Sequence, residues 1–180
     1  MATDAPLIPI LLLPDARLRA KARPVAEGDG DAVRALAPRM LAAMYEAPGI
    51  GLAAPQVGEL LRLAVVDLQP DEKPEPMVLV NPEIVERSRE LATREEGCLS
   101  IPGLYADVER PERVKVRWRD LEGAKHELVA EGLLATCLQH EIDHLDGVLF
   151  LDHLTPLKRN MLTRKFLKDQ KNKARERDED

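Results

Sequence analysis

The densest group of side chains able to bind a metal or move a proton is the segment His140-Glu141-Ile142-Asp143-His144. On a helix, residues four apart lie one above the other, so both imidazoles can reach one ion. Glu141 lies about 100° round the helix from His140, beside such an ion, where a proton acceptor for water must be. The spacing predicts a hydrolytic metal site. A chance match on a solvated face is the alternative, which the otherwise apolar helix disfavours.

The third metal ligand has to come from outside this segment, since a catalytic site usually has three protein ligands and an open position. At the extended metalloprotease spacing Gly147 is in register, but Phe150 occupies the ligand position and His153 misses it by three residues. Upstream, the segment 95–100 contains Cys98. A thiolate with two imidazoles suits Zn(II) or Fe(II). We therefore expect Cys98 to complete the site with the two histidines.

Two other features have chemical and structural interpretations. Cys137 could ligate in principle, but its apolar neighbours favour a core or pocket-wall position.

The segment 49–56 has a Gly-x-Gly-x-x-Ala spacing that weakly matches a dinucleotide fingerprint. That motif must open a helix after a strand, whereas this segment follows a predicted helix and contains Pro55. A glycine-rich turn, or a close approach of the backbone to a ligand with Gln56 as amide donor, both stay open.

Hydrophobic periodicity predicts an α+β fold of antiparallel strands packed around a central buried helix that carries the His-Glu-x-x-His motif, plus a C-terminal helix. Pro38 should kink or divide the first helix, and the segment around residues 95–100 is expected to be flexible. The predicted elements are helices at 31–46, 133–145 and from 156 to about 167, and strands at 61–68, 77–80 (ended by Asn81-Pro82), 113–120 and 125–130.

Length and composition limit the function classes. With 180 residues, 44% of them apolar, the chain is expected to form a single catalytic domain over 1–167, with a charged tail at 168–180 that is frayed or disordered. A net charge of −6 argues against a general nucleic-acid binder, and no DNA partner is expected. Two cysteines, no secretory signal and no membrane-spanning stretch predict a cytoplasmic protein without a membrane partner.

Three segments in order resemble the bacterial-type peptide deformylase family: Gly49–Gln56, Glu96–Ser100 and His140–His144. The match extends from about residue 8 to residue 167. The resemblance implies hydrolysis of the formyl group from the N-terminal formyl-methionine of nascent chains.

The same resemblance implies a role for each site residue. Cys98, His140 and His144 would bind the metal, and Glu141 would be the acid and base. The formyl oxygen would be bound by the side-chain amide of Gln56 and the backbone N–H of Leu99. The peptide would lie like an added strand near Ile50 and Gly51, and Tyr105 would stand on the pocket rim where some members carry Arg. The residues that the resemblance assigns to substrate binding are Ile50, Gly51, Gly97, Leu133 and Cys137, with Leu133 and Cys137 in a methionine pocket that also includes His140.

The resemblance favours Fe(II), with Zn(II), Ni(II) or Co(II) as substitutes. Helix 156–168 carries a set of cations that could contact ribosomal RNA, with a solvated helix face as the alternative. A zincin-type metallopeptidase and a non-enzymatic zinc module are the competing functions, although the latter would need a fourth protein ligand. The cations are Lys158, Arg159, Arg164, Lys165 and Lys168.

Overall fold

The structure, a computed structural model, describes residues 6–179 of the chain. Its three α-helices are α1 (Gly30–Glu46), α2 (Gly132–Leu145) and α3 (Pro156–Glu179). Its seven strands are β1 (Gly51–Ala53), β2 (Leu63–Val66), β3 (Met77–Arg87), β4 (Leu91–Cys98), β5 (Ile101–Pro111), β6 (Arg113–Arg119) and β7 (Lys125–Glu131).

The strands form two antiparallel sheets. The larger sheet has the order β1-β2-β3-β6-β7, and β4 pairs with β5 in the smaller one. Helix α2 contacts five strands of the larger sheet and β5 of the smaller one, and 10 of its 14 residues are buried. The prediction of an α+β fold around a central buried helix is therefore confirmed, as is the C-terminal helix.

Helix α1 covers the larger sheet through one apolar stripe. Val33, Ala37, Met40 and Met44 recur at helical spacing, are buried, and share a core cluster with Leu52, Leu63 and Val65. The prediction that Pro38 could divide this helix is wrong, because α1 is continuous from residue 30 to residue 46. Pro38 is exposed, so the lost backbone hydrogen bond lies on the solvent side, while packing of the stripe holds both halves on the sheet.

Strand β3 does not end at Asn81-Pro82 as predicted but continues to Arg87. Asn81 has a left-handed φ of 51°, and the pairing with β6 shifts register just beyond it. The Asn81 side chain accepts from the N–H of Val25 at 2.8 Å and donates to the Val25 carbonyl at 3.0 Å. A bulge can accommodate a proline within a strand, so the pairing resumes after Pro82.

The smaller sheet was not predicted, and the expected flexibility of residues 95–100 is corrected to a strand that turns into its partner. Half of the residues of β4 are polar, which hides its periodicity. Strand β2, in turn, is shorter than expected, at Leu63–Val66. Tertiary pairing, rather than local composition, sets these boundaries.

Helix α3 continues to Glu179 and is anchored by Phe166, which is buried against the cluster around Phe150. Residues 168–179 are thus helical in the structure, whereas Asp180 lies outside the described residues. The division into a catalytic domain and a fraying tail stays a prediction. Between residues 6 and 179, the structure contains no helix with the length and apolarity that a bilayer crossing requires.

Candidate metal centre

Three donor atoms converge where α2 meets the end of β4. His140 and His144 lie one helical turn apart, and Cys98 is the last residue of β4. One donor atom from each of the three residues lies within 4.8 Å of the other two. The Nε2 atoms of the histidines are 3.2 Å apart, and the Cys98 Sγ is 3.4 Å from Nε2 of His144. The strand end and the buried helix thus bring together residues that are 42 to 46 positions apart.

These distances fit a tetrahedral metal. Bonds of about 2.05 Å to nitrogen and 2.3 Å to sulfur place two nitrogens about 3.3 Å apart, and a nitrogen and a sulfur about 3.6 Å apart. Soft sulfur with two imidazoles also suits Zn(II) and Fe(II) chemically. Within residues 6–179 the metal-binding group has these three members. A fourth coordination position would therefore stay open for water or substrate.

His140 is oriented by a buried ion pair. Its Nδ1 lies 2.9 Å from Oε1 of Glu96, so that in the neutral ring Nδ1–H donates and Nε2 keeps its lone pair for a metal. Glu96 in turn accepts from Nε and Nη2 of Arg110, at 2.6 and 2.9 Å. The two side chains are only 4% and 5% exposed. Such a pair is costly to break, so it fixes the ring.

Two further residues connect this network to the surface. Nη1 of Arg110 donates to Oδ2 of Asp143 at 2.8 Å, and His153 Nε2 lies 2.8 Å from the same oxygen. The network around Arg110 was missed by the sequence analysis. One signal was available: Arg110 falls in phase with the buried residues Ala106 and Val108 of β5, where a charged residue needs a partner.

Burial and hydrogen bonding shift the pKa values of the two histidines in opposite directions. Burial holds the pKa of His144 well below its usual range, which favours the neutral, metal-binding form. For His140 burial acts in the same direction, but contacts with Cys98 and Glu96 raise its pKa well above the usual value. A metal at this centre therefore competes with a proton on His140.

Glu141 lies beside the converging donors. Its Oε1 is 4.0 Å from Nε2 of His140, and its buried Oε2 has no hydrogen-bond partner among the described protein atoms. Burial raises the pKa of Glu141 to about 7. A Cβ on Gly51 would lie 2.7 Å from Oε1, so glycine leaves the room that this carboxylate occupies. Glu141 is thus a buried acceptor next to His140, with one oxygen that has no partner among the described residues.

Gln56 and Leu99 lie next to the Cys98 thiol. Gln56 lies in a short 3₁₀ helix, Ala54–Val57, and its Oε1 accepts from the N–H of Ala53 at 2.9 Å. This fixes the amide so that Nε2 donates to Ser100 Oγ at 3.1 Å and lies 3.6 Å from the Cys98 Sγ. Leu99 follows Cys98 in the turn between β4 and β5. Amide donors therefore stand next to the thiol.

A cleft of about 480 Å³ opens beside the centre, and Cys98, His140 and Glu141 are part of its lining. The volume suits a small ligand. Ile50 and Leu133 are exposed at its rim, whereas Cys137 is buried, with Sγ 3.7 Å from the carbonyl of Ile50. The predicted site residues that line it are Ile50, Gly51, Gln56, Gly97, Cys98, Leu99, Tyr105, Leu133, Cys137, His140 and Glu141. Of the predicted ligands, His144 alone is not part of this lining.

The downstream residues are placed away from the metal position. Phe150 is buried with its ring stacked on His140, at a centroid distance of 6.2 Å. His153 forms a hydrogen bond with the carboxylate of Asp143. Neither completes a downstream-ligand site of the extended metalloprotease kind.

Comparison with known proteins identifies the family. The family model for polypeptide deformylase matches residues 7–160. A peptide deformylase of Mesorhizobium japonicum is 55% identical over 170 residues, which cover 94% of this chain and 96% of that protein. The crystal structure of a peptide deformylase from Legionella pneumophila superposes with a TM-score of 0.86, at 50% identity, covering 94% and 99% of the two chains. The crystal structure of a Synechococcus elongatus peptide deformylase in complex with actinonin superposes with a TM-score of 0.83, at 47% identity, covering 91% of this chain and 89% of that chain.

Substitution of Arg110 tests whether the buried ion pair supports the metal site. We expect Arg110→Gln to weaken metal affinity 10- to 100-fold, because Glu96 loses the partner that holds it against His140. Chelator competition with Zn(II) measures this. The matched control is Arg94→Gln, which removes a bidentate partner of Glu112 in the same sheet, far more exposed. Equal metal affinities in the two variants would contradict the assignment.

Proposed function

We propose that this chain, which belongs to the polypeptide deformylase family, removes the formyl group from the N-terminal formyl-methionine of nascent polypeptides and releases formate. The observation that carries the proposal is the three-donor centre beside a buried carboxylate, Glu141, which has one unpartnered oxygen and lines the same cleft as Cys98 and His140. The proposed compartment is the cytoplasm, consistent with the two free thiols.

Cys98, His140 and His144 would hold the metal. A divalent ion bound there would polarise the formyl carbonyl and lower the pKa of a water beside it. Glu141 takes the proton of the attacking water on its free carboxylate oxygen. It then passes that proton to the departing amine nitrogen, so that one group acts first as base and then as acid. Its raised pKa, about 7, matches both tasks near neutral pH.

Gln56 and Leu99 supply the donors for the charge that develops on the formyl oxygen. The Gln56 amide is held by Ala53 and Ser100, so it needs no reorganisation during the reaction. The backbone N–H of Leu99 is the second donor. Loss of one such donor typically costs about 3 kcal/mol of transition-state stabilisation.

The edge of β1 provides a template for the peptide backbone. Asp67 N–H donates to the Ile50 carbonyl at 2.9 Å, so Ile50 is hydrogen-bonded towards β2. Antiparallel pairs alternate, and Gly51 opposite Val66 therefore presents its N–H and C=O to the free side. A peptide can add there as a further strand. Beside it, Leu133 and Cys137 would receive the methionine side chain, with Gly97 opposite and Tyr105 at the rim.

A zincin-type metallopeptidase is the rival function. The upstream thiol donor and the small cleft favour formamide hydrolysis, because formyl is the smallest acyl group and a confined site excludes larger ones. Digestion of casein by the purified protein would support the rival.

The roles of Glu141 and Cys98 are separable. We expect Glu141→Gln to retain one metal per chain and lose at least ~100-fold in turnover of formyl-Met-Ala-Ser, since it removes the proton acceptor. Cys98→Ala should lose the metal itself. Metal analysis and a formate-release assay on the same samples measure both. Parent-like turnover in Glu141→Gln would refute its role.

We also propose Fe(II) as the resident metal, since the thiolate and two imidazoles accept iron as well as zinc. Protein purified without oxygen should contain mainly iron and show higher formate release than protein purified in air. Elemental analysis of both preparations checks this. Zinc as the main metal in the anaerobic sample would contradict the proposal.

Finally, we propose that helix 156–168 contacts ribosomal RNA. Its described side chains include five cations and no anion between residues 156 and 168. Because Phe166 anchors α3 in the core, charge removal is a cleaner test than deletion. We expect a variant with Lys158, Lys165 and Lys168 changed to Gln to lose ribosome co-sedimentation at low salt.

The control for this test removes the same charge elsewhere. Lys21, Lys73 and Lys125 are exposed and lie outside α3. Changing these three to Gln should leave co-sedimentation unaltered. Equal losses in both variants would indicate a general charge effect and remove the proposed contact.

A further inference from the structure

Asp67 is a buried carboxylate that the proposed reaction does not use. It directly follows β2, and only 1% of it is exposed. Its Oδ1 accepts from the backbone N–H of Gln69 at 2.8 Å and of Glu75 at 3.1 Å, and its Oδ2 accepts from the phenol of Tyr45. Burying a charge is unfavourable unless its hydrogen bonds are satisfied, so a carboxylate kept here needs a reason.

In the pair formed by Tyr45 and Asp67, the phenol keeps its proton and the carboxylate carries the charge. Burial and the hydrogen bond to Asp67 raise the pKa of Tyr45 to about 12. Burial alone would raise the pKa of Asp67, but hydrogen bonds from Tyr45 and from two backbone amides lower it. At neutral pH the phenol therefore donates to a charged carboxylate.

Tyr45 and Asp67 are hydrogen-bonded to each other next to the segment 46–50, which leads into the cleft. Tyr45 lies in the last turn of α1, which is closed by the N–H of Gly49 donating to the carbonyl of Met44 at 2.7 Å. The backbone of Asp67 contacts the same segment, because its main-chain N–H donates to the carbonyl of Ile50 at 2.9 Å. Residues 46–50 are thus fastened to the helix at one end and to Asp67 at the other.

The carboxylate also fastens the β2–β3 loop. Gln69 and Glu75, whose amides it binds, bracket a stretch in which Gln69, Asp71 and Glu72 have left-handed φ values of 48°, 54° and 61°. Such values are uncommon in residues other than glycine and persist where surrounding contacts hold them. Asp67 is therefore the common anchor of the helix end, the loop and the cleft edge.

We propose that Tyr45 and Asp67 are positioning residues for the substrate backbone: they hold Ile50, and with it the outward N–H and C=O of Gly51, where an added peptide strand can pair. The proposal rests on the proposed function, because it takes the edge of β1 as the peptide site. Neither side chain touches the reacting atoms. Their effect should therefore fall on peptide binding rather than on the chemical step.

The test compares a substrate whose backbone continues along the edge with one whose backbone ends at methionine. Formyl-Met-Ala-Ser has backbone groups beyond methionine, whereas formyl-methionine has none. Tyr45→Phe leaves a buried charge with one donor fewer. It should raise the KM for the tripeptide about tenfold, and leave its kcat and the KM for formyl-methionine within about twofold. Calorimetry with the product Met-Ala-Ser should show the same loss of affinity without any turnover.

Asp67→Asn provides a second variant, and the double variant tests coupling. Because asparagine removes the buried charge, Tyr45→Phe should weaken tripeptide binding less in an Asp67→Asn background than in the parent. The matched control is Asp120→Asn, a carboxylate that accepts two backbone amides in the β6–β7 turn. It should behave like the parent.

Three results would overturn the positioning role. These are a tripeptide KM within twofold of the parent in Tyr45→Phe, an equal loss of kcat for both substrates, or unchanged affinity for Met-Ala-Ser. A parent that released no formate would instead count against the proposed function. Peptide binding by calorimetry would still decide the role of the pair.

Discussion

The constraint on which the rest of the structure depends is the burial of polar side chains on a largely apolar helix. Helix α2 runs through the centre of the molecule with Gln139, His140, Glu141 and His144 all buried. Each of these side chains would be unfavourable there without a partner or a function. The placement of the surrounding elements follows from how those needs are met.

The smaller sheet supplies most of the partners that the buried polar side chains of α2 require. Strand β4 supplies Glu96 to His140, and its last residue supplies the thiol of Cys98. Strand β5 supplies Arg110, which joins Glu96 to Asp143 on the same helix. One hairpin therefore provides a ligand, the orienting carboxylate and the charge that balances it. This explains why a sheet of only two strands is packed against the helix.

The larger sheet has a different task. Its apolar face and α1 form one core cluster. Its edge strand β1 places Gly51 next to the carboxylate of Glu141. Among the described residues, two buried side-chain atoms lack a hydrogen-bond partner, Oε2 of Glu141 and Nδ1 of His144. An unsatisfied buried acceptor lowers stability. Glu141 also lines the cleft beside His140, so its unpartnered oxygen is consistent with an acceptor reserved for a proton during reaction.

Local residue spacing by itself determined the two-histidine motif, the helices α1 and α2 and the β6–β7 hairpin, whereas Cys98 was a candidate ligand because the downstream positions could not ligate. The motif, the two helices and the hairpin depend on periodicities within a few residues, such as His140 and His144 one turn apart. Only the tertiary structure decided the smaller sheet, the continuation of β3 beyond Pro82 and the partners of Glu96. The physical reason is that a charged residue such as Arg110 has no local signature of its partner. Whether its charge is buried and paired depends on a strand and a helix that approach each other only when the chain is folded.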